Sequence, residues 1–227
     1  MRFAVKRGDV TESRWDVPFH RIERAGKTTS QFAFVPLGKL VDFSSGGTPS
    51  KAKTEFWEGT IPWVSPKDFG LHYLSDSEDH ISESGRQSAG LKLIPKGSIL
   101  LVVRSGVLKH SLPVALTTLE VTINQDVKAL TPCADILPEY LADYLAIFGS
   151  RILPTISKHS TTVQSLNTPQ LEELPIPVPP VETQRKLVEQ VEKLRQSRHE
   201  LLRRADAILD EIDEFVTQTL GLFNALL

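Results

Sequence analysis

Asp126-Val127-Lys128 is the pattern in this chain that comes nearest to a reaction centre. An acid and a lysine in D-x-K spacing suit metal-assisted cleavage of a phosphodiester. The acid would hold a divalent cation and the lysine would offset developing charge. Such a site needs a second acid upstream to share the metal, and between residues 100 and 125 only Glu120 is available. In an extended segment Asp126 and Lys128 also share one face, where they can simply pair with each other. A small metal-dependent nuclease is therefore kept as an alternative rather than as the main reading. Phosphate-loop, dinucleotide-loop, zinc-protease and nucleophile-elbow patterns are absent from the sequence. The six histidines include no i, i+4 pair, and the single cysteine, Cys133, excludes both an intramolecular disulfide and a multi-cysteine zinc site. No metal or other cofactor is expected.

The more informative chemistry is that of anion and base-edge contacts. The segment 44–68 places Lys51, Lys53 and Lys67 among Phe56, Trp57 and Trp63, behind the pair Gly46-Gly47. Backbone N–H groups of a glycine turn and lysine ammonium groups can both hold phosphate oxygens. The tryptophans read more readily as core, and the glycines as a simple turn. A second segment, 102–113, leaves an apolar run through Arg104-Ser105-Gly106 and presents Lys109 and His110. A third, 156–167, offers Lys158 and a run of hydroxyls that includes Ser160 and Thr161. Arginine and lysine are the usual donors to guanine edges and phosphates. Each loop taken alone is also an ordinary solvated loop. With 26 Lys and Arg against 28 Asp and Glu, the formal net charge is −2. That balance excludes a uniformly basic nucleic-acid binder but not a local basic face.

These loops need a scaffold, and the 227 residues, 40% hydrophobic, can build one. Residues 1–35 form a polar lead-in with an excess of Lys and Arg. Residues 36–180 read as one β-rich unit. LVDF (40–43), SILLVVR (98–104), PVALT (113–117), LEVTI (119–123) and VKALT (127–131) are short strand-like runs bounded by turn residues, and IPWVSP (61–66) is a Pro-bounded apolar segment. A helix is expected over 138–150, with Pro138 at its start and Gly149 near its end. PIPVPP (175–180) has four prolines in six positions, which suits a stiff connector and not a helix or central strand.

From Val181 to Leu220 the chain contains neither proline nor glycine. Leu187, Val191, Leu194, Arg198, Leu201, Ala205, Ile208, Ile212 and Phe215 follow one another in alternating steps of four and three. That 3.5-residue period predicts a coiled coil over 181–220, with Arg198 as the polar seam position. Such a seam needs a partner helix; the expected one is a second copy, through Leu187, Val191, Leu194, Leu201, Ile208, Ile212 and Phe215. The fold class is α+β, a β-rich unit followed by a long C-terminal helix. No run approaches a membrane span, and a cytoplasmic protein is expected.

Four stretches, in order, resemble one known family: LGKLVDFSSGGTPSKAKTEFWEGTIPWVSPKD (37–68), IPKGSILLVVRSGVL (94–108), TINQDVKALTP (122–132) and ELPIPVPPVETQRKLVEQV (173–191). The family is the DNA specificity subunits of type I restriction-modification systems. Its members carry two target recognition domains and two helices that pack as an antiparallel coiled coil. The resemblance implies a non-catalytic subunit that binds double-stranded DNA and docks methyltransferase (modification) subunits and a restriction subunit. With one recognition domain and one helix, this chain resembles a half-size member, so a homodimer reading inverted half-sites is implied. Scaffold roles are implied for Gly46, Gly47, Pro49, Pro62 and Trp63. The amides of Asn124 and Gln125 are expected to tie a strand to a neighbouring loop. The DNA-contact set is Lys51, Lys67, Arg104, Ser105, Lys109, His110, Lys158, Ser160 and Thr161. A coiled-coil interaction protein without DNA reading is the remaining alternative.

Overall fold

The computed structural model describes residues 30–133, 135–158 and 164–221. Ser160 and Thr161 lie outside the described residues, as does nearly all of the 1–35 lead-in. Two units are distinct, one reaching Gln184 and one starting at Arg185.

The first unit is built on two small mixed sheets. β1 (Phe34–Pro36) and β2 (Val41–Ser45) come first, then β3 (Ile61–Val64), β4 (Tyr73–Leu74) and β5 (His80–Ile81). A short helix, α1 (Glu83–Ser88), precedes β6 (Ile99–Val102), β7 (Val114–Thr117), β8 (Thr122–Ile123) and β9 (Val127–Pro132). One sheet has the order β2-β9-β6-β7-β4 and the other β5-β3-β8. β6 is central because its sequence, ILLV, is apolar at every position and all four residues are buried. It pairs antiparallel with β7 on one side and β9 on the other. Val64, Leu74, Ile94, Leu100, Val121, Ile123 and Val127 fill the space between the sheets. The β6–β7 connection is a hairpin closed by a single 3-10 turn, Gly106–Lys109.

The remaining elements pack on this core. α2 runs from Pro138 to Ile156, six residues beyond the expected end at 150. Gly149 is not a terminator there. A Cβ at that position would stand 3.0 Å from the Leu112 Cβ, so glycine allows the helix to approach the hairpin. The helix instead ends after Pro154, where the Thr155 hydroxyl donates to the Ile152 carbonyl and the Ser157 hydroxyl to that of Leu153. β10 (Ser157–Lys158) then pairs with β11 (Ser165–Leu166), and α3 (Thr168–Glu172) leads to β12 (Pro175–Pro177). The proline connector is thus more than a spacer, because β12 pairs antiparallel with β1 in a two-stranded sheet. Such a sheet has only edges, which is where proline is tolerated. The Tyr140 hydroxyl donates to the Pro177 carbonyl at 2.7 Å, fastening β12 to α2.

α4 spans Val181–Leu220, the stretch without proline or glycine. Its first turn belongs to the first unit. Gln184 is fully buried there. Its Oε1 accepts from the Leu137 N–H at 2.8 Å, and its Nε2 donates to the Pro179 and Asp135 carbonyls. A buried amide with all three contacts satisfied fixes the start of the helix. Hydrophobic periodicity carries no trace of this role, since glutamine reads as surface.

Two expectations about stability follow from these contacts. Burial pushes the Tyr140 phenol up to about 12, with the neighbouring Tyr144 adding to the shift. A raised folded-state value means that this contribution is intact below the unfolded value of about 10 and is lost as pH rises through about 12. Tyr140→Phe should lower the denaturation free energy by about 1 kcal/mol at neutral pH. It should also flatten the alkaline loss between about pH 10 and 12, as read from denaturant midpoints across that range. At Gly46 an added Cβ would overlap the Ile123 carbonyl. Gly46→Ala should therefore cost about 1–3 kcal/mol in the same assay.

Candidate nucleic-acid interface

The strongest concentration of polar groups forms where β8 turns into β9. Asn124 is buried, and its Oδ1 accepts the Asp126 N–H at 2.9 Å, which holds the turn Asn124-Gln125-Asp126 closed. The Asp126 carbonyl accepts the Val103 N–H at 2.8 Å and the Arg104 N–H at 3.3 Å. The exit of β6 is thereby zipped to the entry of β9. On the far side of this exit, the Ser105 N–H donates to the Gln164 carbonyl and the Leu166 N–H to that of Val103. Arg104 and Ser165 face each other as a bridge pair. Three chain segments distant in sequence thus meet within one hydrogen-bonded layer.

Side chains on this layer form a polar surface that holds two cations, one carboxylate and several neutral groups. Arg104 Nε donates to Asp126 Oδ1 at 2.5 Å. Lys128 Nζ donates to Ser45 Oγ at 3.0 Å, across the β2–β9 pairing in which those two residues are direct partners. Thr48 Oγ1 donates to Gln125 Oε1 at 2.6 Å. A cleft of about 280 Å³ is lined by Ser45, Arg104, Gln125, Lys128, Ser165 and Thr168 among others. Its open donors and two cations suit oxygen acceptors such as phosphates and base edges.

The glycine-rich loop is a support for this surface. Gly46 sits flush against the Ile123–Asn124 backbone. The Gly47 N–H donates to the Ile123 carbonyl at 3.1 Å, and Trp63 Nε1 donates to the Gly47 carbonyl at 2.9 Å. Trp63 is buried with Ile81 and Leu91, and Trp57 packs edge-on against it with ring centroids 5.0 Å apart. Trp63 is core, as the sequence suggested, and Trp57 lies half-buried against it. Gln125 ties the turn to the 44–50 loop as expected, whereas Asn124 holds its own turn rather than a neighbouring loop.

The predicted contact residues are distributed unevenly. Arg104 and Ser105 belong to the layer just described, and Lys158 joins it through its backbone pairing with Ser165. The Ser105 hydroxyl also accepts the Val107 N–H and so caps the turn that presents Lys109 and His110, both exposed. Lys51 is exposed, with its ammonium 5.9 Å from the Trp57 ring centroid. Lys67 is differently placed. Its ammonium lies 2.8 Å from Glu78 and 2.9 Å from Asp79. Those two hydrogen-bonded carboxylates hold its pKa well above the usual lysine value. Its charge is already offset by the protein.

Lys128, Ser45, Thr48, Gln125 and Ser165 were not among the predicted contacts. Lys128 had drawn notice only as half of a D-x-K. In the structure its side chain bonds Ser45 while Asp126 bonds Arg104, so the two residues are engaged with different partners. Among the described residues no cluster of three His, Cys, Asp or Glu side chains could hold a metal ion. The signal that would have found Lys128 is the β2–β9 register, which sets it beside Ser45.

Along the second unit, α4 carries the heptad. Leu187, Leu194, Leu201, Ile208, Ile212 and Phe215 are exposed, Leu194 and Phe215 at 69% each; Val191 is half-buried. Beside this seam runs a second exposed row, Leu202, Leu209 and Val216. The apolar stripe is thus wider in the C-terminal half than a two-residue seam requires. No described helix is long and apolar enough to cross a membrane.

Comparison with known proteins places this architecture. The specificity subunit of the type I restriction enzyme EcoR124I/EcoR124II from Escherichia coli is 43% identical over 158 residues, covering 69% of this chain and 39% of that protein. The MjaIX specificity subunit from Methanocaldococcus jannaschii is 29% identical over 184 residues, 78% of this chain and 41% of the relative. This chain therefore spans about two fifths of the length of those relatives. Among solved structures, a chain of a type I R-M system superposes with a TM-score of 0.66 at 21% identity, over 89% of this chain and 49% of that one. The HsdS subunit from Thermoanaerobacter tengcongensis gives 0.56 at 22% identity, over 82% and 44%. The type I restriction modification DNA specificity domain matches residues 29–209, most of the chain, and the protein belongs to that family.

Proposed function

We propose that this chain reads one half of a split double-stranded DNA target and presents it to methyltransferase and restriction subunits, catalysing neither reaction itself. The observation that carries the reading is the surface around the β8–β9 turn. In a chain of a DNA specificity family, Arg104, Lys128, Gln125, Thr48 and Ser165 are gathered there on a rigid backbone layer. Base readout requires directional donors held by such a frame. Exposed Lys51 and Lys109 add charge at the loop tips, and His110 stands beside Lys109.

Charge balance says how tightly the free chain should bind. The net charge of −2 and the compensation of Lys67 leave few cations to release counterions from DNA. Affinity should be modest and should rise when a methyltransferase subunit is bound. The exposed seam of α4 supports pairing with a second copy, which restores two reading units. Two-fold symmetry then implies the same half-site in inverted orientation.

Two measurements test this reading. Lys128→Ala should weaken DNA binding by a similar factor for all sequences and reduce the slope of log K against log salt by about one. An unchanged slope would remove Lys128 from the phosphate contacts. Leu194→Asp should convert the dimer to a monomer in light scattering, because the seam would bury an unpaired charge. A wild-type chain that is itself monomeric would count against self-pairing.

A further inference from the structure

Arg104 and Lys128 stand on the same surface but are electrostatically unlike. The partner of Lys128 is a neutral hydroxyl, so its full charge remains directed outward. Arg104 is ion-paired with Asp126, and a paired guanidinium adds little net charge with which to attract phosphate. What it retains is direction. The Asp126 contact uses Nε, and among the described residues Nη1 and Nη2 have no hydrogen-bond partner. Arginine donors form a planar fork, so fixing Nε fixes the plane in which the two terminal amines point.

The residue that carries the partner carboxylate is held at its backbone. The Asp126 N–H is bonded to Asn124 Oδ1, and its carbonyl takes the N–H groups of Val103 and Arg104. Arg104 is pinned at its backbone by the same contact and by its bridge to Ser165. Asp126 is the less exposed of the two side chains, 22% against 54%. A guanidinium clamped at its inner nitrogen and open at its outer pair is pre-organised for a two-point acceptor, and the loss of rotamer freedom precedes binding. In the major groove the two-point acceptor matched to such a fork is the O6 and N7 edge of guanine.

We propose that Arg104 reads a guanine in the half-target and that Asp126 is the positioning residue that aims it, while Lys128 holds backbone phosphate. The proposal rests on the DNA-reading function proposed above and adds the base and the residue that reads it.

The test is selection of binding sites from a library of random duplexes, with the full chain alone and with a methyltransferase subunit. The wild-type chain is expected to enrich a motif containing guanine. Arg104→Ala and Asp126→Ala are both expected to relax one and the same guanine position, by roughly tenfold or more, with the other positions retained. Asp126→Asn keeps an acceptor for Nε and should restore much of that preference. A merely structural role for Asp126 would instead weaken all positions together and lower the unfolding temperature. Should Asp126→Ala fail to fold, Arg104→Lys at its exposed position carries the test. It keeps the charge, loses the fork and should lose the same guanine. A wild-type motif that these substitutions leave unchanged overturns this inference alone. A wild-type chain that enriches no motif overturns it together with the DNA-reading function.

Discussion

The turn Asn124-Gln125-Asp126 is the constraint on which the rest of the proposed reading surface depends. Its backbone groups close the turn and capture the exit of β6. Its side chains reach in three directions, to the turn itself, to the glycine loop and to Arg104. Buried polar groups of this kind are costly unless satisfied. Asn124 is satisfied by Asp126 and by the Val64 carbonyl that takes its N–H. The requirement that every such group find its partner leaves the three meeting segments little freedom. Loops anchored at that density behave as parts of a sheet, and their outward groups inherit its rigidity.

Close approach of backbones makes this arrangement possible. The 46–47 loop lies against Ile123 and Asn124 with no room for a side chain at Gly46. Trp63 and Trp57 support that loop from beneath, each donating its indole N–H to a loop carbonyl, Gly47 and Ser50 respectively. The segment richest in glycine, lysine and tryptophan thus divides its work. Its aromatics and glycines build the support, and Ser45, Thr48 and its exposed cations face outward. Lys67 belongs to neither group, because Glu78 and Asp79 claim it for a local turn.

Much of the fold was legible in the residues. The apolar run 98–104 announced a buried strand, and the absence of proline and glycine marked α4 nearly to the residue. The heptad by itself marks an apolar stripe that a single helix leaves uncovered. Other features take their meaning from residues remote in sequence. Gly149 resembled a stop, but its meaning was a helix–hairpin contact with Leu112, which is distant in sequence. PIPVPP looked like a connector, yet β1 supplies it with a strand partner from the other end of the unit. Gln184 carries no sequence signal for its role, because only backbone groups of Asp135, Leu137 and Pro179 arriving in the fold make it an anchor.

The residues by themselves determined the classes of element, the β-rich unit followed by a long helix, the family and the kind of contact its loops can make. The elements and their order follow from local composition and period, which a chain carries wherever it goes, and the family follows from the resemblance of four ordered motifs. Tertiary structure alone decided which cations share a surface. Arg104 and Asp126 are joined because β6 and β9 are neighbours, Lys128 meets Ser45 because β2 and β9 are in register, and Lys67 is withdrawn because two acids fold beside it. Electrostatic and hydrogen-bond partners are set by distances of a few ångströms between remote segments, and those distances exist only once the sheet has formed.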